Sequence, residues 1–497
     1  MKINKPRILF ITPLPPPVHG SAMVSQYIKD CKELQEEFVC DFVNLSTSRN
    51  IDEIGKKSLM KYIRFIGTYF ITFWKLLTHR YALCYLAITC HGMGFLKDAP
   101  FVLLCKLFRR RVVIHQHNKG MSNCVDKQPY KWLLPLTYRN TKVILLSWYL
   151  YPDIEKVVKK EQVVICPNGI PELFDEEPQF ERNNEVPHLL FLSNLIPSKG
   201  VYVLLDACKI LKDKGYKFVC DFVGGESKEI TKEVFEKAVD ERGLNEIVYY
   251  KGPKYGDEKN EFFANSDIFV QPTLNDCFPL TLLEAMQYKL PIITTNEGAI
   301  EDIVTPLVNG IITISRTPEE LSNNIALLLK EECQRRIFGE NGYKIFKEKF
   351  TQEQFEENIL KLLISINGGG VKFVNYLGPK YGDEKNFFFS NADIFVFPTY
   401  YFNECFPLVL LEAMQYKLPI ITSCEGGIPD IVTNGENGFV CKTNDVDTTA
   451  DAIEKLLKDS GLRTQMGENG YKMFKEGFTL QKFNENITRI LKESACG

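Results

Sequence analysis

Short apolar runs alternate with amphipathic, helix-like stretches along most of this 497-residue chain. The runs are apolar throughout, which is typical of parallel strands covered by helices on both faces. Six of them precede residue 170: RILFITPL, FVCDFVNL, YALCYLAI, VVIHQH, VILLS and VVICPNG. Six more follow residue 187: HLLFLSN, KFVCDFVGG, IVYYKG, DIFVQP, PIITT and GIITI. The pattern predicts an α/β protein with two doubly wound sheets that face each other across a ligand cleft.

A polar, proline-containing segment at residues 171–186 separates the two sets of strands. Such a composition is typical of a linker between domains. We therefore expect an N-terminal domain at residues 1–170 and a second domain at residues 187–366. The remaining residues, 367–497, repeat part of the second domain.

The repeat is close enough to be read directly. GPKYGDEKN at 252–260 recurs unchanged at 378–386, and LEAMQYKLPIIT at 283–294 recurs at 411–422. We call the repeated part of residues 187–366 the first copy, and residues 367–497 the second copy. The period is far longer than that of a solenoid repeat, so we interpret the second copy as a partial tandem duplication.

The repeated segment corresponds to the third to sixth strands of the second domain only. In the usual doubly wound order the first two strands lie in the middle of the sheet, so the second copy lacks the centre of its own sheet. Only one complete sheet can form, and we expect the first copy to complete it. The second copy would have to close a roughly tenfold longer loop, at a cost of about 2 kcal/mol. The second copy is then an appended half-domain.

Composition excludes several classes of protein. The net charge is −3, from 60 basic and 63 acidic residues, so there is no overall field to hold a nucleic acid. The fifteen cysteines include no CxxC pair, which favours reduced thiols in a cytoplasmic protein over disulfides or a zinc site. The first apolar run is short and ends in prolines, so we expect a buried strand and not a signal peptide.

The segment at residues 56–80, KKSLMKYIRFIGTYFITFWKLLTHR, leaves two interpretations open. Its apolar and aromatic residues are interrupted by Lys61, Arg64 and Lys75, and it is too polar to span a membrane. We favour a packed helix of the N-terminal domain. The alternative is a helix lying on an anionic surface, such as the inner face of the cytoplasmic membrane.

The stretch DIFVQPTLNDCFPLTLLEAM is typical of a strand, a loop and a helix. Pro279 suits the first helical turn, and the free amides and dipole of the helix start suit a phosphate. Asp276 precedes the helix and Glu284 lies inside it, so their carboxylates are expected about 8–10 Å apart. Carboxylates bind sugar hydroxyls well, and the arrangement fits a nucleotide sugar. Without its sequence context, Glu284 would be read as a solvent-exposed helix residue.

This stretch resembles the E-x7-E motif of the retaining glycosyltransferases of the GT-B fold, family 4, also called glycosyl transferases group 1. The motif is intact in the second copy as Glu404 and Glu412, and altered in the first copy as Asp276 and Glu284. The resemblance implies two Rossmann-like domains, with the acceptor on the N-terminal domain and the donor on the second.

Further motifs carry the same resemblance. SNLIPSKG at 193–200 is similar to the family's donor-phosphate motif, with Lys199 in the lysine place and Asn194 where an arginine is common. PLPPPVHGSA resembles the glycine loop, with Gly20 near donor and acceptor. HQHNKG resembles the strand end that carries an active-site histidine, best matched by His117, with His115 as the alternative.

The resemblance implies transfer of a sugar from a UDP- or GDP-linked donor to a glycan or lipid-linked acceptor, with retention, in bacterial surface polysaccharide synthesis. The residues that it implies for binding the donor, beside Gly20, Lys199 and Asn194, are Phe278, Pro279, Leu280, Glu284 and Glu412. His117 and the first acid of the motif, Asp276 or Glu404, would act at the reacting centre. No cofactor and no metal ion are expected, since HQH lacks a third nearby ligand.

Two rival functions remain open at this point. The chain could be a catalytically impaired protein that binds a sugar nucleotide or serves as a scaffold, because Asp276 and Asn194 depart from the motifs. A nucleotide-sugar epimerase shares the fold, but the context of the E-x7-E stretch argues against it.

Overall fold

The computed structural model describes residues 5–16, 20–46, 59–182, 184–367, 379–401 and 404–495. The chain forms two compact units, Met1–Tyr376 and Leu377–Gly497. We call them the first unit and the second unit. The first unit contains both predicted sheets, and the second contains the second copy.

The N-terminal sheet of the first unit is parallel, with strand order β2-β1-β3-β4-β5-β6. Its strands are β1 (Arg7–Thr12), β2 (Val39–Asn44), β3 (Leu83–Ala87), β4 (Arg111–Gln116), β5 (Lys142–Leu145) and β6 (Val163–Ile165). Its helices are α1 (Gly20–Asp30), α2 (Lys32–Glu37), α3 (Leu59–Thr78), α4 (Gly92–Leu107) and α5 (Tyr130–Tyr138). All six strands predicted before residue 170 are present.

The second sheet has the order β12-β11-β10-β7-β8-β9, so its first strand is central. Its strands are β7 (His188–Leu192), β8 (Val219–Val223), β9 (Val248–Gly252), β10 (Ile268–Gln271), β11 (Ile292–Thr295) and β12 (Gly310–Thr313). Its helices are α6 (Val201–Asp213), α7 (Lys232–Glu241), α8 (Gly256–Asn265), α9 (Leu280–Gln287), α10 (Ile300–Ile303), α11 (Pro318–Lys330), α12 (Glu332–Lys349) and α13 (Gln352–Asn367). The strands β10, β11 and β12 belong to the first copy, so the first copy completes the sheet, as the loop-closure argument expects.

The chain crosses between the two domains of the first unit twice, at the same place. The backbone amide of Ile170 donates to the Phe350 carbonyl at 3.0 Å, and the amide of Gln352 donates to the Ile170 carbonyl at 2.8 Å. A Cβ on Gly169 would lie 2.1 Å from the Thr351 carbonyl oxygen, so only glycine allows the two crossings to run this close. The second crossing carries α13 back to the N-terminal domain.

Helix α13 packs on α1 and α2 through one apolar stripe. Phe355, Ile359 and Leu363 are four residues apart, lie on one helix face, and are at most 1% exposed. They join a core cluster with N-terminal residues such as Val24 and Leu34. The end of the second domain therefore belongs, in its packing, to the N-terminal domain.

The predicted linker is fixed to the second domain. The rings of Phe174 and Phe180 each lie 5.3 Å from the ring of Tyr288. The Arg182 guanidinium donates to the carbonyl oxygens of Ala264 and Tyr288. These contacts order a segment whose composition alone is that of an irregular connection.

The second unit contains a three-stranded parallel sheet, β13-β14-β15. Its strands are β13 (Phe395–Phe397), β14 (Ile420–Ser423) and β15 (Gly438–Cys441), and its helices are α14 (Gly382–Asn391), α15 (Leu408–Gln415), α16 (Val446–Lys458), α17 (Ser460–Gly477) and α18 (Leu480–Ala495). The part of the second copy that corresponds to the third strand falls within residues 368–378, outside the described residues. Val396 on β13 is 38% exposed, whereas its counterpart Val270 on β10 is fully buried beside β7.

Helix α18 corresponds to α13 but is not covered in the same way. Phe483, Ile487 and Leu491 stand where α13 has Phe355, Ile359 and Leu363, and they are 60%, 42% and 64% exposed. The same apolar pattern thus gives a packed helix in the first unit and an exposed apolar face in the second.

Helix α3, within the segment singled out at 56–80, packs through one face only. Its Leu76 is buried, and Phe65 and Tyr69 meet the Phe101 ring of α4 edge-on. The opposite side exposes large apolar residues: Leu59, Met60, Tyr62, Ile63, Ile66, Phe70, Ile71, Phe73, Trp74 and Leu77. In the part of the chain that the structure describes, no helix combines the length and apolarity needed to cross a bilayer.

Candidate active site

The candidate site residues of the first unit follow the carboxyl ends of central strands. Gly20 comes after β1 and His117 after β4, both in the N-terminal domain, while Lys199 comes after β7 and Asp276 after β10. In open α/β sheets, ligands bind outside the carboxyl ends of the strands, near the point where strand order reverses. The topology therefore places these residues where a ligand is expected.

Gly20 lies opposite the start of α9. It is the first residue of α1, and a Cβ placed on it would lie 3.7 Å from Cδ1 of Leu280, the first residue of α9. Burial raises the pKa of Tyr27, on α1, to about 12, with a smaller contribution from the negative charge of Glu284. Gly20 and the start of α9, two of the predicted donor-binding elements, thus meet across the cleft. Residues 17–19 of the predicted glycine loop lie outside the described residues.

Lys199 is positioned by the glycine that follows it. Gly200 has a φ of 84°, and a Cβ there would lie 2.0 Å from the Pro272 carbonyl oxygen. This close approach brings Lys199 against the loop after β10, where its Nζ lies 2.5 Å from Asp276 Oδ2 and 3.3 Å from the Asn275 carbonyl oxygen. The lysine predicted to bind phosphate and the acid predicted to bind the sugar therefore form an ion pair.

The residues between Asp276 and α9 have different environments. Asp276 Oδ1 accepts a hydrogen bond from the Cys277 amide at 2.8 Å. Phe278 is 6% exposed, and its ring packs edge-on against Phe350 at 6.0 Å. The Phe278 side chain is thus part of the core. Pro279 is the residue immediately before α9, with an extended ψ of 110°.

Glu284 has a partner that the sequence analysis did not single out. Lys259 on α8 donates to its Oε1 at 2.6 Å. In the second unit, Lys385 donates to Oε1 of Glu412 at the same distance. The signal for this pairing was in the repeat itself, because GPKYGDEKN contains the lysine and is identical in both copies.

Asn194, which stands where the family commonly has an arginine, supports a neighbouring loop. Its Oδ1 accepts a hydrogen bond from the Gly225 amide at 3.0 Å, after the end of β8. A Cβ on Gly224 would lie 2.0 Å from the Ser193 carbonyl oxygen, so the two loops touch. A phosphate contact of Asn194 stays a prediction.

The two histidines of HQH have different environments. Their ring centroids are 4.0 Å apart. His115 is fully buried, and its Nδ1 shares a short hydrogen bond with the Tyr85 hydroxyl. Burial, reinforced by His117, lowers the pKa of His115 well below its usual value, so it is neutral near pH 7. His117 is half-buried and follows the end of β4, so it is the one nearer the cleft.

A cluster around Glu297 was missed from the sequence. Glu297 is 6% exposed and forms ion pairs with Lys119 of the N-terminal domain and with Arg316, whose Nη1 lies 3.0 Å from Oε2. Asp153 accepts hydrogen bonds from the backbone amides of residues 120, 121 and 122, at 2.9–3.1 Å. The loop after His117 is therefore held from both sides. Glu297 lies in NEGAIEDIV, which follows the E-x7-E stretch, but its partners could not be identified because they are remote in sequence.

The second unit holds its copy of the motif in a different setting. Glu404 and Glu412 lie at its corresponding loop and helix, and Glu412 has its lysine partner. The described residues of that unit contain no strand corresponding to β7, and hence no counterpart of Lys199. The site predicted at Asp276 thus includes a lysine from the strand end of β7, whereas the site predicted at Glu404 has no such lysine among the described residues of its unit.

The family model described as "Glycosyl transferases group 1" matches residues 174–345 and 351–473, together more than half of the chain. Among curated relatives, an uncharacterized glycosyltransferase of Methanocaldococcus jannaschii is 29% identical over 227 residues, 46% of this chain and 60% of that protein. The capsular polysaccharide biosynthesis glycosyltransferase CapM of Staphylococcus aureus is 39% identical over 111 residues, 22% of this chain and 29% of CapM. The matched regions thus span less than two thirds of either relative.

Solved structures share the fold of most of this chain. Sucrose-phosphate synthase of Thermosynechococcus elongatus superposes with a TM-score of 0.58 at 15% identity, over 74% of this chain and all of that one. HepE of Anabaena, solved with UDP and glucose, superposes with a TM-score of 0.54 at 16% identity, over 72% of this chain and 99% of that one. Both likenesses show the GT-B arrangement of two Rossmann-like domains.

Proposed function

Because this chain belongs to the glycosyl transferases group 1 family, we propose that it transfers a sugar from a UDP- or GDP-linked donor to a glycan or lipid-linked acceptor. We further propose that the transfer retains the anomeric configuration and uses no metal ion. The observation that carries the proposal is the ion pair of Lys199 with Asp276 in the loop before α9, whose first residue, Leu280, lies opposite Gly20 across the cleft.

The chemistry required is the departure of a diphosphate from the anomeric carbon. Negative charge grows on the leaving group while the sugar becomes oxocarbenium-like. The Lys199 ammonium and the free amides at the start of α9 would stabilise that charge, since preorganised donors are most effective in such sites. Asp276 would hold the sugar hydroxyls, and His117 would lie near the reacting carbon.

The ion pair between Lys199 and Asp276 bears directly on donor binding. Both side chains are partly shielded from water, at 22% and 16% exposure. A diphosphate carries more charge than one carboxylate, so the donor would draw Lys199 away from Asp276 and leave the carboxylate to accept sugar hydroxyls. The move of Lys199 from Asp276 to the diphosphate thus prepares the lysine to bind phosphate and the carboxylate to bind the sugar.

The acceptor is proposed from relatives alone. CapM is named for capsular polysaccharide biosynthesis, and a galactosyltransferase of the lipopolysaccharide outer core, WaaB, shares the fold with a TM-score of 0.55 at 14% identity. A surface polysaccharide or its lipid-linked precursor is the acceptor class that these names support.

Helix α3 supports a site of action at a membrane surface. Its exposed side is apolar and aromatic, and the helix carries three basic residues and no acidic ones. Monomeric proteins rarely expose a large contiguous apolar patch without a partner. We propose that α3 lies on an anionic bilayer, with its apolar side chains at the acyl boundary and Lys61 and Arg64 at the headgroups, while Lys75 stays paired with Asp41.

The test is release of the nucleotide from a panel of UDP- and GDP-sugars, with and without lipid-linked acceptors. The proposal predicts nucleotide release that increases with acceptor and persists in excess EDTA. Binding detected by a thermal shift, without release from any donor, would favour the impaired sugar-nucleotide-binding protein instead.

A further inference from the structure

Glu297 is a buried carboxylate that pairs with cations from both domains of the first unit. Lys119 reaches it from the N-terminal domain, and Arg316 reaches it from its own domain at 3.0 Å. Arg316 is itself held by the Asn296 carbonyl oxygen, to which its Nη2 donates at 2.8 Å. A buried carboxylate is costly unless it is paired, so these cations explain how the charge is tolerated.

The backbone around Glu297 lies directly on the loop that carries Asp276. Gly298 has a φ of 59°, and a Cβ there would lie 2.3 Å from the Asp276 carbonyl oxygen and 2.6 Å from that of Cys277. The Ala299 amide donates to the Cys277 carbonyl at 2.7 Å. A displacement of Glu297 is therefore transmitted to the Asp276 loop through packed backbone.

On the other side of the cleft, Lys119 is two residues beyond His117. The next residues of that loop are fixed by Asp153, which accepts three of their backbone amides. Asp153 anchors the loop within its own domain, and Glu297 anchors it to the opposite domain. One carboxylate thus connects the loops of two residues that are predicted to act on the same sugar.

We propose that Glu297 is a positioning residue. Through Lys119 it sets the position of His117 relative to Asp276, so that both face the sugar when the cleft is closed. This inference rests on the proposed function and adds to it the residue that couples cleft closure to assembly of the reacting centre.

Arg316 makes the contact reversible. When the cleft opens, Lys119 leaves with the N-terminal domain, but Arg316 stays beside Glu297 because both belong to the second domain. The carboxylate is then never left buried without a cation, which would cost several kcal/mol. The contact with Lys119 can break and re-form during each cycle.

The second copy supplies a natural comparison. Glu425 stands where the first copy has Glu297, and Asn444 stands where it has Arg316. Glu425 accepts a hydrogen bond from the Thr443 hydroxyl at 2.9 Å. Glutamine in its place keeps an oxygen that can accept this hydrogen bond, so Glu425→Gln removes only one charge at the matched position of the second copy.

The kinetic test uses Lys119→Met, Lys119→Arg, Glu297→Gln and the matched control Glu425→Gln. Lys119→Met and Glu297→Gln should each lower kcat by about 100-fold, the order expected when a reacting group is displaced by about 1 Å. The donor KM should change little, Lys119→Arg should restore most of the rate, and Glu425→Gln should match the wild type. A wild-type kcat in Lys119→Met, or a defect confined to the donor KM, would overturn the proposal.

A second measurement does not depend on finding the donor. Hydrogen–deuterium exchange in residues 117–122 should speed up in Lys119→Met and in Glu297→Gln, and the double variant should exchange no faster than either single one. Unchanged exchange in both single variants would overturn the positioning role. If exchange is faster in the variants but the wild-type protein transfers no sugar, the positioning role stands and the result counts against the proposed function alone.

Discussion

The Nζ of Lys199 lies 2.5 Å from Oδ2 of Asp276, which joins the two side chains from which the most chemistry is expected. The pair forms between loops after β7 and β10, neighbouring strands of one sheet. In the proposed mechanism, the donor diphosphate competes with this ion pair for Lys199. Activity should therefore be sensitive to the length of the acid at position 276.

Asp276→Glu should increase activity. The second copy has Glu404 at this place, and one more methylene lets the carboxylate reach farther toward the sugar. We expect kcat/KM for the best donor to rise by up to about tenfold, equivalent to about 1.4 kcal/mol of transition-state stabilisation. Glu404→Asp, the reverse change in the second copy, should leave the rate unaltered. A fall in activity on lengthening Asp276 would contradict the role given to this residue.

Glu284→Gln should reduce transfer by about 100-fold or more, while Glu412→Gln should leave it intact. Both variants break the same contact with a lysine, at 2.6 Å in each copy, and both replace a charge-assisted acceptor with a weaker neutral one. Only Glu284 belongs to the unit that contains Lys199. Loss only in Glu412→Gln would assign the active site to the second copy, and equal losses would contradict its assignment to the first copy alone.

Phe355→Ala should destabilise the protein strongly, and Phe483→Ala should not. Phe355 is 1% exposed in the α13 contact with the N-terminal domain, whereas Phe483 is 60% exposed on α18. Truncation of a buried phenylalanine costs about 3–5 kcal/mol, and an exposed one about 0.5 kcal/mol or less. Urea unfolding of both variants checks this. A similar loss in Phe483→Ala would mean that α18 is covered in solution.

Stability should fall as the pH drops below about 6.5, because His115 is then protonated in the unfolded chain but stays neutral in the folded protein. Burial lowers the folded-state pKa of His115 below the unfolded value of about 6.5. Between these two values the unfolded chain binds more protons, so the free energy of unfolding decreases by up to about 1.4 kcal/mol per pH unit. His115→Gln should flatten this dependence. An unchanged slope in His115→Gln would contradict the assignment.

Binding to vesicles should depend on α3. Phe70 and Trp74 are one helical turn apart and are 66% and 64% exposed, so Phe70→Glu with Trp74→Glu places two charges on the apolar side. The double variant should lose cosedimentation with vesicles rich in phosphatidylglycerol, and wild-type binding should weaken with salt. Leu491→Glu, equally exposed on α18, serves as the matched control. Unchanged binding of the double variant would remove α3 from the membrane model.

The sequence predicted the strands well because each is a continuous apolar run bounded by turn residues, and such runs have few alternatives. Lys199 and Asp276 could be placed near each other because both follow strands that are neighbours in the doubly wound order. The Glu297 cluster could not be predicted, since Lys119 meets Glu297 only through the docking of two domains, and Arg316 meets it only through the folding of the second domain. The course of α13 was also missed, because its stripe shows that one face is buried but not which surface covers it.

The difference between α13 and α18 makes the same point within one chain. Their apolar stripes carry the same three residue types at the same spacing. One stripe is buried and the other is exposed. Periodicity therefore predicts the helix and its apolar face, while burial depends on a partner surface that only the fold provides.

The order of the two copies along the chain has a consequence in time. A ribosome adds about 5–20 residues per second, and the residues of the second copy follow their counterparts by 128 positions over most of the repeat. The first copy is therefore available to β7 about 6–26 s before the second copy has been synthesised. Helices and hairpins form, and the chain collapses around its apolar residues, within microseconds to milliseconds. The pairing of β10 with β7 seen in the folded unit can therefore form during synthesis before its competitor exists.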